Sequence, residues 1–353
     1  MMRAGITSTT DDVDRDNQDR NFSTTGFLTL LLALSLALTA CAQKSGEAAK
    51  QPAPASVSAS TVAPADAATA AADSGPALSI NSARAMQYVK EIVAFGPRPI
   101  GSANHKRVED YIYAHLKGDS VEDDAFSVDT SEGKFPVRNI MAKFPGTHDG
   151  IIVIASHYDT NYPLRNTSFI GANDGASSSA LLLELANQLR GEMKGKPRDG
   201  YSVWLLWDDA EEAMKQWSDT DSLYGVRHLA QKWQDDGTLK KIKAFLLADM
   251  IGDADLNIEH DQNSTPWLED MIYQSATRLG YQSHFFGREI PIQDDHIPFV
   301  QRGVPSADLI DLDYGYNNVF HHTTEDTVDK LSPKSLEIVG NVILKTVQML
   351  DKR

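Results

Sequence analysis

From about residue 80 to the end of the chain, the apolar positions follow two alternating periods. In "SINSARAMQYVKEIVAFG" and again in "SANHKRVEDYIYAHLKG" they fall three and four residues apart, with Ser102 at the cap position of the second stretch and Gly118 closing it. That spacing predicts two helices. Short apolar runs then alternate with helical ones. "RNIMAKF", "GIIVIASH", "YSVWLLW", "IKAFLLADM" and "PSADLID" read as strands, and "GASSSALLLELANQL", "SLYGVRHLAQKW", "PWLEDMIYQSATRLG" and "SPKSLEIVGNVILKTVQMLDK" read as helices. Nothing repeats internally. The alternation predicts one α/β domain over residues 78–353, three layers deep, with a central mostly parallel mixed β-sheet and helices on both faces.

The N-terminal part is patterned differently. "GFLTLLLALSLALTAC" is too short for a comfortable membrane span but suits the apolar core of a secretory leader, and "LTAC" resembles a lipobox, which makes Cys41 the expected lipid-modified first residue of the exported protein. The preceding "TTDDVDRDNQDRNF" is acidic where such leaders are basic, so translation is expected to start further downstream than Met1. Residues 1–40 therefore read as a lipoprotein-type signal peptide. Residues 41–77, rich in Ala, Ser and Pro, read as a disordered tether. The expectation is a protein anchored through Cys41 to a bacterial membrane, on its periplasmic or extracellular face.

Across all 353 residues, 41% hydrophobic and 23% charged content fits a globular chain, and a net charge of -16 without any basic stripe argues against a nucleic-acid partner.

Strand ends carry the candidate chemistry. Open parallel sheets bind ligands at the carboxyl ends of their strands. Here "IIVIAS" runs into His157 and Asp159, "YSVWLLW" into Asp208, Asp209, Glu211 and Glu212, and "AFLLA" into Asp249. Any one of these also suits a solvated turn, and Asp174 in "GANDG" suits a turn or helix cap. Taken together, His157, Asp174, Glu212, Asp249 and His322 form a set of His nitrogens and carboxylate oxygens of the kind that holds catalytic zinc.

Their order is His-x-Asp, Asn-Asp-Gly, Glu-Glu, Asp-Met and His-Thr. It resembles the co-catalytic zinc aminopeptidases (peptidase family M28) and their relatives, the animal-type glutaminyl-peptide cyclotransferases. The resemblance implies a zinc-exopeptidase-like fold, one zinc ion on Asp174, Glu212 and His322, and a second through His157 and Asp249 where the aminopeptidases hold one. It implies Glu211 as general acid and base. Two long stretches, "EEAMKQWSDTDSLYGVRHLA" and "IPIQDDHIPFVQRGVP", are similar to the cyclases rather than the peptidases. The resemblance to the cyclases implies a glutamine pocket involving Trp217, Gln293, Ile292 and Ile310, and a catalytic carboxylate pair, Asp249 and Asp294, sharing a proton. His321 stands where animal cyclases carry a second pocket tryptophan. An adjacent histidine pair is not expected to aim both rings at one ion.

The expected activity is cyclisation of N-terminal glutaminyl residues of peptides and proteins to pyroglutamate, with ammonia released. The alternative is a di-zinc aminopeptidase. A Ser or Cys hydrolase is unsupported, because there is no Gly-x-Ser-x-Gly and Cys41 precedes the domain.

Overall fold

The computed structural model describes residues 79–353, so the expected leader, Cys41 and the tether lie outside the described residues. Helix α1 (Ser82–Val93) starts where the Asn81 side chain accepts the Arg84 N–H, and α2 (Ala103–His115) starts where Ser102 accepts the His105 N–H. Each cap satisfies a backbone donor that the first turn leaves unpaired. Strands β1 (Ser120–Thr130) and β2 (Gly133–Phe144) form a hairpin, followed by β3 (Gly146–His157), α3 (Ala176–Met193) and β4 (Arg198–Asp208). Then come α4 (Tyr224–Asp235), β5 (Ile242–Asp249), β6 (Ile258–Asp261), α5 (Pro266–Leu279), β7 (Phe285–Ile290), the one-turn α6 (Ile297–Val300), β8 (Ser306–Ile310) and α7 (Pro333–Leu350).

Six strands form the main sheet in the order β1-β2-β4-β3-β5-β8. β4, β3, β5 and β8 are parallel to one another, while the β1–β2 hairpin joins antiparallel at the β4 side. The mixed, mostly parallel core is as the pattern predicts. The pattern does not predict β1, because "SVEDDAFSVDT" carries too few apolar residues to stand out. It is held by full pairing with β2 rather than by burial. β6 and β7 make a separate two-stranded parallel sheet.

Strand periodicity sorts side chains into the layers. Ile152 and Ile154 of β3, with Ala244, Leu246 and Ala248 of β5, face the larger core with helices α1, α3 and α7. Their neighbours Ile151, Val153, Ala155, Phe245 and Leu247 face the opposite core with α4 residues Val226, Leu229 and Trp233. Both faces are covered, so both parities along the strand are apolar. No helix among the described residues is long and apolar enough to cross a membrane.

Strand register brings the polar ends together. His157 pairs with Asp208 across β3 and β4, and Asp249 pairs with Ile310 across β5 and β8. The parallel strands thus deliver their terminal polar residues to one edge. Helix α4 is seated against that edge by backbone contact: the Leu223 N–H bonds the Glu211 carbonyl at 2.7 Å and the Tyr224 N–H bonds the Ala210 carbonyl at 2.9 Å. Gly225 permits this approach, since a Cβ there would lie 2.1 Å from the Asp209 carbonyl oxygen and 2.6 Å from Asn139 Oδ1. Gly225→Ala should therefore lower unfolding free energy by about 1–3 kcal/mol, the usual range for overpacking a tight site. Urea titration of both proteins measures it, and equal midpoints would show that the contact is not tight.

Candidate active site

The acidic run after β4 is not a solvated turn. Asp208, Asp209, Glu211 and Glu212 are all buried. Asp209 has a structural task, with His105 Nε2 at 2.7 Å from one oxygen and the Arg138 N–H donating to the other at 2.7 Å. Immediately afterwards Ala210 takes φ +58°, a left-handed turn that lets the next two glutamates leave the strand end in different directions. Met250 after β5 (φ +49°) and His322 (φ +52°) are also left-handed. Such conformations are costly for non-glycine residues and gather where function fixes the backbone.

Asp174 sits at the centre. Its Oδ2 lies 3.3 Å from His322 Nε2, which is also 3.3 Å from Glu212 Oε2. Its Oδ1 lies 3.2 Å from His157 Nε2, which is 3.1 Å from Asp249 Oδ1. One carboxylate therefore faces two groups, His322 with Glu212 on one side and His157 with Asp249 on the other. Asp159, at 3.6 Å from His157 Nδ1, and Asn161, donating to Glu212 Oε2 at 2.8 Å, complete the surroundings. The sequence motifs assign neither a role, although Asp159 belongs to the "SHYDT" strand end.

The set fits a zinc ion. Buried Asp174 Oδ2, Glu212 Oε1, Asp159 Oδ2 and His157 Nδ1 have no hydrogen-bond partner, and buried polar atoms left so require an explanation. Ligands about 2.0 Å from a tetrahedral zinc stand roughly 3.3 Å apart, which is the spacing His322 Nε2 keeps from both Asp174 and Glu212. Among the described residues three groups bring their ligand atoms within 4.8 Å of one another, namely Asp174 with His321 and His322, His157 with Asp174 and Asp249, and His105 with Glu109 and Asp209, while Glu212 meets the set through His322. The expectation that adjacent histidines diverge is corrected here. With φ +52° at His322, the two rings lie 4.0 Å apart, both within reach of Asp174.

Glu211 Oε2 stands 3.8 Å from His157 Nδ1, away from the His322 group. Burial pushes its pKa well above the usual carboxylate range, and Glu212, Asp294 and Asp159 add to this against His157. Burial also drives Asp174 up, but His157 and His322 outweigh it and hold Asp174 well below its ordinary value.

Asp294 is raised by burial and then by the charge of Asp249. Asp308, at the interior of β8, is likewise raised by burial and then by the charge of Asp294, while Asp249 Oδ1 lies 3.1 Å from His157 Nε2. Asp208 and Asp295 form a similar buried acid pair, with Asp208 pushed up to about 6 by burial. The sequence motifs do not include Asp308, yet a lone carboxylate inside the fully buried "SADLI" is a usable signal.

A cavity of about 260 Å³ opens beside His322, lined by Asn161, Pro163, Leu164, Ala213 and residues 215–217. Trp217 is 39% exposed at this cavity and is not a core aromatic. Gln293 is exposed, whereas Ile292 and Ile310 are buried in the larger core. None of these three is among the cavity's lining residues.

Comparison with known proteins agrees with this geometry. Residues 139–347 match the model of peptidase family M28. A glutaminyl-peptide cyclotransferase of Drosophila melanogaster is 34% identical over 243 residues, covering 62% of this chain and 68% of that protein. The crystal structure of an Acidobacteriales bacterium glutaminyl cyclase is 48% identical with a TM-score of 0.77, covering 79% of this chain and 98% of that one. A Zn-dependent exopeptidase from Parabacteroides distasonis, 24% identical, shares the fold with a TM-score of 0.68 over 79% of this chain and 100% of that chain. The ordered strand-end residues and these matches place the chain in peptidase family M28 and, within it, among the glutaminyl-peptide cyclotransferases.

Proposed function

We propose that the protein cyclises N-terminal glutaminyl residues of peptides and proteins to pyroglutamate, releasing ammonia, with Glu211 as the proton carrier. The observation that carries this reading is the divergence of the adjacent glutamates: Glu212 joins His322 at 3.3 Å while Glu211 stays outside that group, 3.8 Å from His157. A proton shuttle has to stand beside a metal without being coordinated by it. Asp174, Glu212 and His322 would hold one zinc ion, whose chemistry is Lewis-acid polarisation of the substrate's γ-carbonyl. Glu211 takes a proton from the substrate α-amine, the amine nitrogen bonds to the side-chain carbonyl carbon Cδ, and the bond from that carbon to the amide nitrogen breaks. Glu211 then returns the proton to the departing nitrogen, which leaves as ammonia. Asp249, Asp294 and Asp308, buried beside one another, assist proton movement. Trp217 at the cavity wall restricts the glutamine side chain to folded-back conformations, which reduces the entropic barrier to ring closure.

One observation favours a second reading, a di-zinc aminopeptidase. Asp174 faces both the His322 and the His157 groups, as a carboxylate bridging two ions would.

Products separate the two. Glutaminyl peptides should yield free ammonia and a peptide lighter by one ammonia in mass spectrometry, with leucyl peptides left intact. Free amino acids from either peptide would instead establish the aminopeptidase. For the division of roles, Glu211→Gln should retain zinc by atomic absorption while kcat falls about 10²–10⁴-fold, the usual worth of a positioned acid–base group. Glu212→Gln should lose zinc. Equal zinc loss in both variants would overturn the assignment.

Export and lipid anchoring at Cys41 are proposed from the sequence alone. Mass spectrometry of the mature N-terminus should find a diacylated Cys41, and an uncleaved, unmodified N-terminus would exclude it.

A further inference from the structure

The loop that carries Asp174 is gripped from two sides by buried side chains, a guanidinium and a carboxyl group. Arg98, from "GPRPIGS" between α1 and α2, has no exposed surface. Its guanidinium donates to four backbone carbonyls: Tyr158 at 2.8 Å, Gly171 at 2.9 Å, Asp174 at 3.1 Å, and Ile170. No carboxylate is among these partners. Asp326, also fully buried, accepts the N–H groups of Asn173 at 2.8 Å and Asp174 at 3.2 Å, together with the Tyr314 hydroxyl at 2.8 Å. The main chain of Asp174 is thus held on one side by a guanidinium and on the other by a carboxyl group, whose pKa burial pushes up to about 7.

Two glycines shape the space for this. A Cβ on Gly171 (φ +51°) would lie 2.5 Å from the Asp174 carbonyl oxygen and 3.3 Å from Arg98 Nη2, and one on Gly175 (φ +81°) would lie 3.1 Å from that nitrogen. Burial pulls the Arg98 pKa down to about 10, against the fields of Asp174, Asp326, Asp159 and Glu212. A guanidinium stays charged there and presents five donors in a fixed plane, which a lysine cannot.

We infer that Arg98 and Asp326 are positioning residues for Asp174, fixing residues 170–175 in the ligating conformation before a metal ion arrives. Metal affinity, and not fold stability alone, then depends on them. This rests on the reading of Asp174 as a zinc ligand. Both are buried, and neither lines the cavity beside His322.

The test is zinc affinity of the full chain by competition with a chromogenic chelator, for wild type, R98K, D326N, the double variant and D174A. Melting temperatures are taken with and without zinc. R98K and D326N should each weaken zinc binding about 10–100-fold, as loss of a group supporting a metal ligand does, and the zinc-induced rise in Tm should shrink in both. Because both hold one loop, the double variant should lose much less than the product of the single losses. Wild-type zinc affinity in R98K and D326N with a lower zinc-free Tm would overturn the inference and leave the pair a purely structural role. A multiplicative double variant would likewise refute a shared loop. If R98K does not fold, D326N decides alone. D174A binding zinc like wild type would overturn the ligand assignment itself, whereas weakened D174A beside unaffected R98K and D326N would overturn only the clamp.

Discussion

Buried negative charge at one edge of the sheet is the constraint to which the rest of this molecule answers. Asp159, Asp174, Asp208, Glu211, Glu212, Asp249, Asp294, Asp295 and Asp308 are all buried close to the carboxyl ends of β3, β4, β5 and β8. Removing an ionised carboxylate from water costs several kcal/mol unless partners compensate. Compensation comes here in three forms. His157 and His322 stand between carboxylates. Arg98 supplies a fixed cation beneath the loop. Burial and the neighbour's charge push Asp295, beside Asp208, and Asp308, beside Asp294, toward the protonated form, which is how like charges coexist without water. What remains are single oxygens without a hydrogen-bond partner, on Asp159, Asp174 and Glu212, and these are what make the site attractive to a divalent cation.

The backbone serves the same end. Parallel strands in register bring side chains from distant parts of the sequence to one line, and the left-handed residues Ala210, Met250 and His322 turn the chain at the point where each strand or loop meets the site. Glu211 and Glu212 acquire different surroundings only because Ala210 turns before them. Burial raises the pKa of both neighbours, but the cation that opposes the rise is His157 for Glu211 and His322 for Glu212.

Much of this is legible in the sequence, for a physical reason. Strand period, helix period and caps are local, so α1, α2 and the parallel core can be read residue by residue. The strand-end polar residues stand out against long apolar runs. What escapes depends on three-dimensional proximity. Arg98 binds backbone carbonyls, which have no side-chain identity to recognise. Asp208 and Asp209 look in sequence like any solvated acidic turn, and only the packing of α4 over them shows otherwise. The rings of His321 and His322 share a side because of one backbone dihedral that no residue type announces. Ile292 and Ile310, assigned to the pocket by resemblance, lie in the larger core, while Asn161, Pro163 and Leu164 from the segment after β3 line the cavity.

The placement of Trp217 has an evolutionary consequence. It lies on the segment joining β4 to α4, part of no strand and clear of the paired carboxylates. Substitutions in residues 213–222 can therefore reshape the wall that greets a substrate while the charge balance behind it stays intact. His322 and Asn161 tie part of the cavity wall to the carboxylates, whereas Lys215, Gln216 and Trp217 do not, so a lineage can vary what those three accept without first surviving the loss of what lies behind them.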